Sequence, residues 1–167
     1  MTEAMTPIDW AKRPIIEKYA DFSGRAPRAE YWWYILGIII VAIVLTIVES
    51  ILGLKGMVLG IYGPLTCLLW LATIVPSLAV GARRLHDSNR SGWLQLVFYA
   101  PYGLMLLVRS MTGGGFGAAA LAGIIGLVGL ICAIVLIVFL AMPGTPGDNR
   151  YGPNPYGEGA GGTVAAE

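Results

Sequence analysis

The stretch YWWYILGIIIVAIVLTIV, Tyr31–Val48, runs for 18 residues without a charge. As an α-helix rising ~1.5 Å per residue it reaches ~27 Å, close to the ~30 Å hydrocarbon thickness of a bilayer. From Ile35 to Val48 it holds eleven Ile, Leu or Val residues. At roughly −0.3 to −0.6 kcal/mol each, these favour insertion by roughly 3–7 kcal/mol. Tyr31, Trp32, Trp33 and Tyr34 open the run as an interfacial aromatic belt does, and Glu49 ends it.

The rest of the chain agrees with this reading. Of its 167 residues 56% are hydrophobic and 13% charged, and the mean hydropathy is +0.71. A soluble domain carries about 25% charged residues; half that charge cannot cover a water-facing surface. Disorder needs low hydrophobicity and high net charge, and collagen needs a three-residue glycine period that is absent here. Eleven Lys and Arg against ten Asp and Glu give a net charge of +1, which argues against a nucleic-acid partner.

Three further apolar runs follow. No charge occurs between Lys55 and Arg83, and a span is expected at 58–80 with kinks at Pro64 and Pro76. Gly56 and Gly60, four apart, suggest close backbone approach. Trp93–Val108 is the weakest run, interrupted by Gln95, Pro101 and Gly103. The last, 117–142, follows a Gly113–Gly115 turn. Its small-residue stripes, Ala118/Ala122/Gly126 and Ala119/Gly123, point to internal packing. Cys67 and Cys132 lie inside apolar runs and read as small hydrophobes, not as a disulfide.

The fold class expected is therefore an all-α membrane protein: a bundle of four transmembrane helices (spans about 31–48, 58–80, 93–108 and 117–142) preceded by a short amphipathic surface helix. Residues 1–30 form an N-terminal cytoplasmic segment, 31–142 the membrane domain and 143–167 a Gly/Pro-rich tail. Residues 1–30 hold ten charges and no apolar core of signal-peptide length, so the first run is expected to act as an uncleaved anchor. In that segment Ile15, Ile16, Tyr19 and Phe22 share one helical face, with Gly24 as a C-cap. That face suits the membrane surface or the bundle's own ends. Pro27 is placed to start the first span.

Charge orients the chain. With four spans, one side carries Lys12, Arg13, Lys18, Arg25, Arg28, Arg83, Arg84, Arg90 and Arg150, and the other only Lys55 and Arg109. Basic residues stay in the cytoplasm, so both termini are expected there. If 93–108 did not cross, the split would still be nine to two, so the tally leaves three and four spans open.

Three polar clusters fall on that basic side: Phe22–Trp32, Arg83–Trp93 and Pro143–Pro153, each setting arginine beside turn formers and aromatics. Arg83 and Arg84 must sit at the membrane edge; on a continued helix Arg83 faces Asp87 four residues on. Asp87-Ser88-Asn89 reads as a helix stop, and Ser91 as an N-cap. His86 is the single histidine. It lacks the clustered ligands of a metal site, and its neighbour Asp87 would not face it on a helix. No nucleophile elbow or phosphate loop occurs, and no carboxylate lies mid-span as a coupled transporter would use.

In that order, the three clusters resemble the bacterial domain of unknown function 805 family, small YhaH-like inner-membrane proteins. The resemblance runs over about 15–155. Its motif positions are Gly24, Arg25, Arg28, Glu30, Tyr31 and Trp32, then Arg83, Arg84, Leu85, His86, Asp87, Ser91, Gly92 and Trp93, then Gly144, Asn149, Arg150, Tyr151 and Gly152. It implies a bacterial inner-membrane, multi-pass protein and brings no activity, substrate or cofactor.

The function expected is non-enzymatic and cofactor-free. Arg25, Arg28, Glu30, Arg83, Arg84, His86, Asp87, Arg90, Asn149, Arg150 and Tyr151 would converge into one cytoplasmic site for anionic lipid headgroups or a partner protein. The alternative is that these groups tie helix ends together in a structural or assembly subunit. An oligomeric pore or transporter stands behind both, and a homo-oligomer is open.

Overall fold

The computed structural model describes residues 5–58, 62–112 and 116–156. They form five helices: α1 Pro7–Ile16, α2 Arg28–Ile51, α3 Pro64–Asp87, α4 Leu94–Thr112 and α5 Phe116–Ala141. Three helical stretches are long and apolar enough to cross a membrane: Arg28–Ile51, Pro64–Asp87 and Ala119–Ala141. α4, whose 19 residues include Gln95, Pro101 and Gly103, is not among them. Among the described residues the fold is thus all-α with three candidate spans.

The second span starts later than its hydropathy suggested. Val58 and Tyr62 pair, Val58 N donating to the Tyr62 carbonyl at 2.8 Å. Gly63 caps α3, and Pro64 occupies its first turn instead of kinking it. A missing N–H is no loss at that position. Gly56 lies in a turn with a positive φ of 79°, so it is no helix-packing glycine; Gly60 and the 113–115 turn lie outside the described residues.

Pro76 lies inside α3, which runs on through it, and it is buried there. Proline has no N–H for the carbonyl four residues back, which is that of Ala72. The Tyr19 hydroxyl donates to that carbonyl at 2.7 Å, and Tyr34 donates to the next, Thr73, at 3.3 Å. Tyr34 also meets Ser77 Oγ at 2.9 Å. Tyr34 is therefore a buried strut and leaves the interfacial belt to Trp32 and Trp33, which stay exposed.

The first helix sits earlier than its hydrophobic face implied. Thr6 and Asp9 form a reciprocal capping box that starts α1, and α1 stops at Ile16. Tyr19, Phe22 and Gly24 lie in the loop beyond, where Gly24 adopts φ 74° without capping a helix. α1 packs along α2, Ala11 Cβ lying 3.7 Å from where a Gly37 Cβ would be.

α4 packs antiparallel along α5 and touches α3 near its own start. Gln95 Nε2 donates to Leu78 O at 3.1 Å. Phe98 meets Phe139 edge-on at 5.9 Å, and Tyr102 donates to Gly129 O at 2.9 Å. Along the expected small-residue stripe, Gly126 faces Met105 while Gly123 faces open space. Both cysteines are free and half-buried.

Candidate functional site

At one end of the bundle the C-termini of α3 and α5 meet the N-terminus of α2, the loop before it and the tail after α5. Helix C-termini present orphan carbonyls and a partial negative charge. Arginines from four segments fill that end.

Asp87, the last residue of α3, is the centre. Its Oδ1 accepts from Arg25 Nε at 2.9 Å, and its Oδ2 from Arg84 Nη1. All three side chains are buried. The pairing differs from expectation: Arg84, not Arg83, reaches Asp87, across three residues instead of four. Arg83 points the other way and binds Glu30 Oε1 at 2.5 Å. Glu30 Oε2 also accepts from Arg13 Nη1 at 3.2 Å. Two acid-centred layers result, Arg25–Asp87–Arg84 and Arg13–Glu30–Arg83.

The remaining guanidinium donors of Arg25 and Arg84 close on backbone carbonyls. Arg84 Nε donates to Leu140 O at 2.9 Å and its Nη2 to Met142 O, so it caps the end of α5. Arg28 Nε adds a bond to Met142 O at 3.2 Å. Arg25 donates to Gly147 O at 2.6 Å and Thr145 O at 2.8 Å. The loop is itself held by Ala26 N to Arg83 O, 3.0 Å. Behind it, the Ser23 hydroxyl and then the Lys18 ammonium hold the Asp21 carboxyl well below the usual carboxylate range.

The tail returns as a strap. Thr145 N donates to Asp87 O at 2.8 Å. Asn149 Nδ2 donates to His86 O and to Thr145 Oγ1, both at 2.9 Å. Tyr151 stacks on His86, 3.8 Å between centroids and 4° apart, and Arg150 lies 4.7 Å over the Tyr151 ring. Arg90 stands apart, 4.4 Å over Phe139. Arg28 and Arg150 remain exposed.

Gly144 makes the strap possible. A Cβ there would lie 2.3 Å from Asp87 Oδ2. Gly144→Ala is expected to cost about 1–3 kcal/mol, as overpacking does, whereas Gly123→Ala, opening into space, should gain roughly 0.5–1 kcal/mol of helix stability. Thermal melting in detergent checks the contrast; equal shifts at the two glycines would contradict the packing at 144.

Two features escaped the sequence reading. Glu49 is buried at the opposite end, where Thr66 N and Oγ1 donate to it at 2.9 and 2.6 Å. It caps the N-terminus of α3 from a neighbouring helix, and a Cβ on Gly63 would meet its carboxylate. Its place directly after an apolar run was the available signal. Nothing local announced the Tyr19 and Tyr34 repair at Pro76. Among the described residues no group of three His, Cys, Asp or Glu lies together to hold a metal.

Comparison with known proteins places the same stretch. The model of the family described as "Protein of unknown function (DUF805)" matches residues 19–153. Inner membrane protein YhaI of Escherichia coli (strain K12) is 41% identical over 106 residues, 62% of this chain and 85% of that protein. Inner membrane protein YhaH of the same strain is 34% identical over 149 residues, 89% of this chain and 97% of that protein. No solved structure matches.

Proposed function

Because this chain belongs to the DUF805 family of inner membrane proteins, we infer that its arginine clusters serve a non-enzymatic membrane subunit as an electrostatic clasp. The clasp ties helix ends to one another on the cytoplasmic face. One observation carries the reading: Asp87 is shared by two buried arginines whose other donors end on carbonyls of α5 and the tail. Arg25 and Arg84 thus keep little for an external ligand. A half-satisfied buried charge is costly, and these two arginines are satisfied from within.

The same contacts favour four crossings. Arg25 precedes α2 and Thr145 follows α5, yet they are hydrogen-bonded. A chain with an odd number of crossings between them would put them on opposite faces. If α2, α3 and α5 cross, α4 crosses too. Its 19 residues reach ~28 Å at ~1.5 Å per residue.

The test is topological. Single thiols at positions 20, 89 and 150, in a chain without Cys67 and Cys132, should all resist a membrane-impermeant reagent in intact cells. A thiol at position 55 should react. Reaction at any of the first three, with the others protected, would break the shared face and the clasp with it.

A second reading concerns the rim. Arg28 and Arg150 stay exposed beside the clasp, and near a bilayer each attracts anionic lipid by about 1 kcal/mol. The rim thus supports binding of anionic headgroups, or of an acidic partner segment, without drawing on the buried arginines.

A further inference from the structure

A groove between α3 and α4 lies outside the clasp. It encloses about 490 Å³, walled by Phe22, Leu78, Trp93 and Leu96, with His86 and Gln95 as polar lining. That size falls in the ~300–1,000 Å³ range of ligand sites. Trp93 on its rim is 75% exposed, as a tryptophan at a membrane boundary is. Gln95 is engaged, its Nε2 donating to Leu78 O.

His86 is differently placed. Its Nδ1 lies 3.1 Å from the Gly24 carbonyl. A carbonyl only accepts, so Nδ1 carries the proton and Nε2 of the neutral ring is an acceptor. Nε2 faces the Gly92 side of the groove, 3.2 Å from where a Gly92 Cβ would stand. Above the ring, Tyr151 and then Arg150 form a stacked ladder that ends in an exposed cation. Among the described residues no carboxylate lines the groove.

These features specify an occupant: an apolar chain for the walls, a hydroxyl to donate to His86 Nε2, and an anion for Arg150. We propose that the groove holds one acyl chain of a phosphatidylglycerol, its glycerol hydroxyl at His86 and its phosphate at Arg150. The proposal rests on the rim reading above and adds the chain and the hydroxyl to it.

The full chain, in nanodiscs of equal phosphatidylglycerol and phosphatidylcholine, is extracted and its retained lipid counted by native mass spectrometry. The wild type should keep one phosphatidylglycerol with at least fivefold preference. Arg150→Glu should remove that preference. Leu96→Trp, on the exposed side of α4, should lower retention at least threefold with melting unchanged. Should Leu96→Trp melt early, Phe22→Ala, which widens the groove from the loop, replaces it with the same expected loss of retention. No preference in the wild type, or preference surviving Arg150→Glu, overturns both the proposal and the rim reading. Retention untouched by the groove variants, with preference lost in Arg150→Glu, overturns the groove alone.

Discussion

Asp87→Ala should remove most of the folded protein. The substitution strips Arg25 and Arg84 of their shared carboxylate while both stay buried. Breaking a buried pair from one side costs about 3–5 kcal/mol, because an uncompensated charge remains. Against a total stability of about 5–15 kcal/mol, that is about a fifth or more. Two further contacts depend on the same place: Thr145 N and Oγ1 both donate to the Asp87 carbonyl, so the strap loosens with the helix end. Asp87→Asn keeps one oxygen acceptor and the shape, and should recover part of the loss. Arg150→Ala, at an exposed position, should stay within about 0.5 kcal/mol of the wild type. Melting and membrane abundance, read together, check the series. An Asp87→Ala protein as stable as Arg150→Ala would end the clasp reading.

The second large effect is expected at Glu30. Arg83 binds Glu30 through Nη1, while its Nε and Nη2 are buried and meet no partner among the described residues. Glu30→Ala would leave the whole guanidinium unpaired, so a loss of about 3–5 kcal/mol is again expected. The informative variant is the double one. Replacing a buried ion pair by apolar residues of similar volume is often neutral or even stabilising by about 1–4 kcal/mol. Glu30→Met with Arg83→Met should therefore return to within about 1 kcal/mol of the wild type, apart from the half-exposed Arg13 contact. A double variant as damaged as the sum of its single ones would show that the two side chains are not coupled.

Neither result could be forecast from the sequence beyond the residue types involved. The arginine clusters were legible as such, and so was their gathering at one end. Which arginine meets which acid was not. Arg83 and Arg84 are neighbours in the chain, but successive helical residues point ~100° apart. One turns toward α2 and Glu30, the other toward α5 and Asp87. The expected four-residue pairing of Arg83 with Asp87 weighed only the helix itself. The helix N-terminus at Thr6, by contrast, is local: the Thr-x-x-Asp box stands in the sequence upstream of the apolar face.

Residue types alone settle the phase in which the protein lives. Insertion is a nearly additive property of each apolar run, so composition suffices for it, while the three ordered motifs carried the resemblance to the family to which the chain belongs. The tertiary structure decided the use of the polar residues. Arg25 meets Asp87 across 62 positions and Thr145 across 120, and no local pattern encodes such a meeting. Those bonds form where two helix C-termini arrive together and their unpaired carbonyls need donors. That end-to-end coincidence is why the donors of Arg25 and Arg84 close on Asp87 and on backbone carbonyls.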